Sequence, residues 1–450
     1  MIMKRLLWIS AVVLLLLSCV RENADYEELA SDPEYFHRSM KQLTDVIVHD
    51  IFSPPVASRI YAYASIAGYE AALPAYPECQ SLSGQLNQLA PAPAPEAGKT
   101  YCFPLASTWA MLTVGRALIF SEEKMDAFQQ DILASYRQMG IPEAVVQSSK
   151  KYGEAVAAHI LAWAAQDNYK QTRSYPKYTI SDAPATWKPT PPAYMDGIEP
   201  SWNQIRPFTL DSAQQFKPAP PTPFNTDKNS RFYQEMLEVY RALDAKDKEE
   251  RIAIAQFWDC NPYVSHHVGH VMYATKKITP GGHWINIARV AATKAKANFM
   301  QTLEAYALTS IALADGFISC WDEKYRSQLV RPETVINQYL DEDWRPLLQT
   351  PPFPEYTSGH SVISNAAATA LTTLFGDNFA YTDDTEEEFG LPARQFRSFF
   401  HAAEEAATSR LYGGIHYMPA ITNGVEQGKH VGKWVVRQVK LRKEAISKAK

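Results

Sequence analysis

Eleven prolines fall between positions 176 and 223. Proline fixes φ and has no backbone N–H, so neither a helix nor a central strand runs through such a stretch. Trp187, Tyr194, Trp202, Phe208 and Phe216 are interspersed among them. A disordered linker is poor in aromatic side chains. Residues 173–229 therefore read as an ordered, irregular wrap laid across other elements, and a natural cover for the mouth of a site. The wrap separates an N-terminal region, 34–172, from a C-terminal region, 230–450.

Helical spacing dominates on both sides of it. Tyr61, Ala64, Ala67 and Ala71 share one face, as do Leu105, Trp109, Leu112 and Ile119. Residues 81–99, with Pro91, Pro93 and Pro95, interrupt this as a loop. The pattern returns at 232–243, at 252–257 and over 284–321. Further helices are expected over 361–374, stopped by Gly376, over about 393–409, and from about Gly424 onward. Alternating β patterns are scarce. The expected fold is mainly α, packed helical bundles with little or no sheet. With 450 residues, 46% of them hydrophobic, the chain can bury a large core. The net charge of -5 gives no basis for nucleic-acid binding, so any anion site must be a local cationic cluster.

Residues 1–18 have the form of an export signal: Lys4 and Arg5 precede an apolar run at 6–17 that is short for a membrane span. Leu16, Leu17, Ser18 and Cys19 resemble a bacterial lipobox. This implies a lipid on Cys19, a polar tether over 19–33, and a periplasmic or outer-membrane lipoprotein touching the membrane only through that anchor. No later stretch is expected to cross a bilayer. Export permits disulfides, and Cys79 and Cys102, flanking the 81–99 loop, are the expected pair. Cys320, in an apolar stretch, is expected as a buried free thiol.

Three short pieces carry chemistry: Lys324 with Arg331 and Pro332; Ser358-Gly359-His360; and Ser409-Arg410 with His416. Together they suit a tetrahedral oxyanion. Lys324 and the guanidinium forks of Arg331 and Arg410 neutralise charge. Ser358 stands where a helix N-cap belongs, so free N–H groups would face the anion, and Gly359 allows a close backbone approach. One histidine can bind or attack the central atom while the other moves a proton. Lys324 and Arg331, seven apart, are expected on one helical face. His266 and His270 have zinc-like spacing, but no carboxylate motif accompanies them and Gly269 weakens a helix, so packing near the site is the better reading.

The set resembles the three-part signature shared by vanadium-dependent haloperoxidases and type 2 phosphatidic acid phosphatases. The resemblance extends to the Pro-Gly-Gly-His-Trp run at 280–284, to Trp321-Asp322-Glu323-Lys324-Tyr325 and to the Pro-rich run at 351–356, which favours the long soluble haloperoxidase branch. It implies an enzyme with His416 as the vanadate ligand, His360 as the proton carrier, and Lys324, Arg331, Ser358, Gly359 and Arg410 around the anion. Trp321, His283 and Trp284 are pocket candidates. The partners are then peroxide and halide, with vanadate as cofactor. The phosphatase alternative has a phosphate ester, a phosphohistidine at His416 and no cofactor. Two positions depart from the signature: Thr357 stands for its usual proline, and Ala420 for the aspartate that orients the histidine. A backbone carbonyl or a nearby side chain such as Asn423 or Glu426 could substitute for that aspartate. Failing a substitute, the chain would be a weakened oxyanion-binding lipoprotein.

Overall fold

The computed structural model describes residues 25–268 and 270–443; the expected export signal and Cys19 lie outside them. Helices lead on the N-terminal side: α1 (Tyr26–Ala30), α2 (Glu34–His49), α3 (Pro54–Ala72), α4 (Phe103–Ala117), α5 (Glu122–Gln138), α6 (Glu143–Ala164) and the single turn α7 (Tyr169–Thr172). After the wrap come α8 (Arg231–Tyr240) and α9 (Lys248–Phe257), a hairpin of β1 (Val264–Val268) and β2 (Val271–Thr275), then α10 (Pro280–Lys294), α11 (Phe299–Ser327), α12 (Pro332–Tyr339) and α13 (Gly359–Phe375). A second small hairpin, β3 (Tyr381–Asp383) with β4 (Arg394–Phe396), precedes α14 (Phe399–Tyr412) and α15 (Met418–Gln438). Both sheets are two-stranded and antiparallel, with Val264 opposite Thr275 and Tyr381 opposite Phe396. The mainly α expectation holds. The hairpins are additions, and β4 replaces the first turn of the helix expected near 393.

Local chemistry fixes the helix ends that matter. Thr279 and Ser398 cap α10 and α14 through their side-chain oxygens, and Asn298 and Gln301 form a reciprocal capping box on α11. Ser358 caps α13, its hydroxyl accepting from Ser361 N. Gln328, in a left-handed conformation, ends α11 after Ser327. Lys324 and Arg331 therefore do not share a helical face: Lys324 lies in the last turn of α11, and Arg331 is the N-cap of α12.

One apolar core runs from Phe36 through α3, α4 and α6 into α10, α11, α13 and α15. Helix α11 is its axis. Contrary to the expectation for this part of the chain, α11 is long and apolar enough to cross a membrane, but it is wholly buried within the fold. It also carries Glu304, Asp315, Asp322, Glu323 and Lys324 inward. A second cluster joins α8 and α12 to Tyr356, Tyr417 and Ala420 beneath the C-terminal helices.

The wrap is ordered and pinned. Asp315 on α11 accepts from Phe208 N at 2.7 Å, Thr209 N at 2.8 Å and Thr209 Oγ1 at 2.6 Å. Ile198 O accepts from Trp321 Nε1 and Tyr325 Oη. Trp187 and Trp202 are fully buried. The cysteine expectation is corrected: Cys79 and Cys102 are separate buried free thiols, as are Cys260 and Cys320. Cys79 lies against Glu304, and Cys102 sits at the start of α4 with its N–H on Ser149. The loop between them thus ends on two different partners.

Candidate active site

The chain reversal after α14 sets His416 in place. Gly414 has φ +76°, where a side chain would be strained and would also meet Trp344 and Pro346. Arg331 Nη1 lies 3.1 Å from His416 Nε2. A guanidinium only donates, so Nε2 accepts and the ring proton sits on Nδ1. Nδ1–H in turn donates to Glu355 Oε1 at 2.8 Å, and the same oxygen accepts from Tyr417 N at 2.9 Å. The histidine is thus held in one tautomer, with Nε2 unprotonated and its lone pair facing Arg331. Burial, then Arg331, holds its pKa well below the usual histidine range.

Glu355 performs the task that Ala420 cannot. Neither expected substitute is involved: Glu426 pairs with Lys429 at the surface, and Asn423 bonds Tyr356. Ala420 contributes only its carbonyl, which accepts from Ser358 N at 3.0 Å. A carboxylate inside the Pro-rich run before Ser-Gly-His was the signal in the sequence. It lies 61 residues before His416 along the chain and so escapes any local motif. Burial pushes its carboxyl up to about 7, against the pull of Arg331 and Lys324.

The remaining signature residues gather around this pair. Arg331 donates through Nε to Phe353 O and through Nη1 to Ile415 O, while its buried Nη2 has no partner. Burial draws its pKa down to about 10. His360, in the first turn of α13, bonds the Trp258 carbonyl, leaving a buried Nε2 unpartnered. Burial and then Arg410 keep it neutral. Arg410 Nη2 donates to the same Trp258 carbonyl at 2.7 Å, and its Nε to Ser409 Oγ. Lys324 Nζ is fully engaged, donating to the carbonyls of Pro354, Glu355 and Thr357. Burial lowers it to about 7. Lys324 thus clamps the 354–357 turn that carries Glu355 and Ser358 and lends its charge from behind.

A cavity of about 250 Å³ opens onto these groups. Gly359, His360, Arg410 and His416 form its polar end, and Trp321, Phe317, Phe353 and Ile198 its apolar wall. A Cβ on Gly359 would meet only the Trp321 ring, at 3.8 Å, so glycine here leaves room in the cavity itself. Lys324, Arg331 and Ser358 stand one layer back. Met195 and Ile198 bring the wrap to the cavity wall. Trp321 lines this cavity. His283 and Trp284 do not: Trp284 Nε1 donates to Ser364 Oγ in the core, and His283 is enclosed beside Asp383. His266 sits on β1 with Nε2 3.0 Å from Thr275 Oγ1.

The donor set fits a tetrahedral oxyanion such as vanadate. Arg331 Nη2, which can only donate, and His360 Nε2 and Glu355 Oε2, which accept, are buried without a protein partner, and the α13 N-terminus and two guanidinium groups lie beside His416. A mainly α-helical protein with a cationic pocket around a carboxylate-oriented histidine has the groups needed to hold an oxyanion.

Comparison with known proteins places it. The family model of the VCPO second helical-bundle domain matches residues 304–444. A crystal structure described as the first bacterial vanadium-dependent iodoperoxidase is 51% identical, with 92% of this chain and 98% of that one covered and a TM-score of 0.87. The holo and apo forms of a bacterial vanadium-dependent chloroperoxidase share the fold alone, at 15% and 14% identity and TM-scores of 0.63 and 0.64. They cover 86% of this chain and 94% and 95% of their own. No curated protein matches. The chain belongs to the vanadium haloperoxidase superfamily, and it is an enzyme.

Proposed function

We propose that the chain oxidises halide, iodide foremost, with hydrogen peroxide, using vanadate held at His416. The overall change is halide plus peroxide plus one proton giving hypohalous acid and water. The observation that carries this reading is the Glu355–His416–Arg331 chain, which presents an unprotonated Nε2 to an oxyanion pocket. The 51% identity to an iodoperoxidase over nearly the whole length supports the halide. Bound vanadate would supply Lewis acidity toward peroxide. Arg410 and the α13 N-terminus would hold its oxygens, and Arg331 and Lys324 would add positive charge from behind. His360 Nε2 is placed to take and return the proton. The apolar wall of Trp321, Phe317 and Phe353 excludes water and suits a large, weakly hydrated anion such as iodide.

Purified protein loaded with vanadate should form iodine species from iodide and peroxide, and His416→Ala should abolish this. No oxidation at full measured vanadate occupancy would overturn the reading. Vanadate-free hydrolysis of a chromogenic phosphate ester, lost in His416→Ala, would transfer the site to phosphatase chemistry. The oriented His416 removes the reason for expecting a weakened site.

We further propose that the chain is exported and anchored through Cys19. Cys19→Ala should move the protein from the membrane fraction to the soluble one, and an unchanged fractionation would refute the anchor.

A further inference from the structure

At the cavity wall, which Cys260 lines, three buried donors from distant parts of the chain converge, with His283 and Glu386 outside the lining. Cys260 follows α9, His283 lies in the first turn of α10, and Glu386 follows β3. Cys260 Sγ is 3.4 Å from His283 Nδ1, and Glu386 Oε1 is 3.3 Å from the same nitrogen. All three ligand atoms lie within 4.8 Å of one another. A tetrahedral ion with bonds of about 2.3 Å to sulfur and 2.0 Å to nitrogen or oxygen has ligand-to-ligand edges of roughly 3.3–3.5 Å.

Two further observations point to a ligand. Both carboxylate oxygens of Glu386 are buried without a hydrogen-bond partner. An unpaired buried carboxylate is costly, and a cation is its natural answer. The other ring nitrogen of His283 is 2.8 Å from Asp383 Oδ2, and Asp383 Oδ1 is fixed by the backbone N–H and hydroxyl of Thr385. This is the carboxylate–histidine relay that orients a metal-binding imidazole. Trp258 stacks on the ring at 4.6 Å between centroids, excluding water from one face.

We propose that Cys260, His283 and Glu386 bind one divalent ion of the zinc class, beside the vanadate pocket and sharing Cys260 with its wall. Thiolate and carboxylate balance the two positive charges. Binding releases the Cys260 proton together with any proton on His283 Nδ1, and three protein donors leave one position for water. The ion would tie the loop after α9 and the loop after β3 to α10. The same Trp258 that covers His283 presents its carbonyl to Arg410 and His360, so this tie supports the back of the anion pocket.

The test uses the purified full-length protein, equilibrated with zinc and dialysed, and in parallel with cobalt(II). One equivalent of zinc per chain is expected, together with a thiolate-to-cobalt charge-transfer band. Cys260→Ser should remove the band, and Glu386→Gln should weaken zinc binding about tenfold or more. Absence of bound zinc, or of the band in the unaltered protein, overturns the proposal without reference to any variant's folding. So does zinc retained undiminished in a variant carrying both Cys260→Ser and Glu386→Gln. That result would leave His283 as a protonated bridge between Asp383 and Glu386.

Discussion

His416 shows how far single residues were legible. Its spacing from Ser409 and Arg410 marked it, and the structure brings it together with Arg331, Gly359, His360 and Arg410. Its orienting partner was invisible locally because the pairing is made through space. Removing the carboxylate from this pair, as in Glu355→Gln, should weaken vanadate binding about 10- to 100-fold with the fold intact, as titration against circular dichroism would show. Glu426→Ala, remote from the histidine, should change nothing. The same variant has a signed pH signature. Glu355 is raised from 4.5 to about 7 by burial, so in the vanadate-free enzyme its contribution is full below 4.5 and is lost as pH rises through about 7. Glutamine avoids charging a buried group. The melting temperature of Glu355→Gln should therefore gain on that of the unaltered protein as pH rises across this window. A constant or shrinking difference would place the carboxylate in a solvated setting.

Helices were legible where a period of 3.6 runs for several turns, and less so at their ends. The Lys324–Arg331 spacing suggested one face, yet Gln328 turns the chain and the two cations meet from successive helices. The hairpins were missed because each strand has only three to five residues, too few for alternation to register. A further device lies on α15. A Cβ on Gly428 would come within 2.1 Å of Val362 O, and the i±4 neighbours Gly424 and Gly432 are nearly as close to α13. This contact sets the position of the helix whose N-terminus carries Gly359 and His360. Gly428→Ala should destabilise by about 1–3 kcal/mol through overpacking and weaken vanadate binding as well. Gly153→Ala, which meets Ala106 O at 2.6 Å in the N-terminal helices, should lower the melting temperature while leaving vanadate affinity nearly unchanged. Equal losses of affinity in both variants would mean that general loosening, not the placement of α13, governs the pocket.

For the whole molecule, the proline count announced a wrap but not what it binds. Its anchors are backbone groups on Asp315 and side chains on Ile198 O, and a one-dimensional pattern does not encode such contacts. The wrap also does not separate two cores. Apolar residues from α2 through α6 join those of α10, α11, α13 and α15 in one cluster, with α11 touching both sets. Helices that share a core lose their support together, because exposing one set strips contacts from the other. Heating should therefore give one cooperative loss of far-ultraviolet circular dichroism, coincident with the tryptophan signal. The proposed vanadate site exists only where α11, α13 and α14 are assembled, so vanadate should raise that whole transition. At 100 times the dissociation constant the stabilisation is about 2.7 kcal/mol, and His416→Ala should not respond. Two resolved transitions, with vanadate shifting only one, would show that the N-terminal helices melt independently of the helices that build the anion pocket.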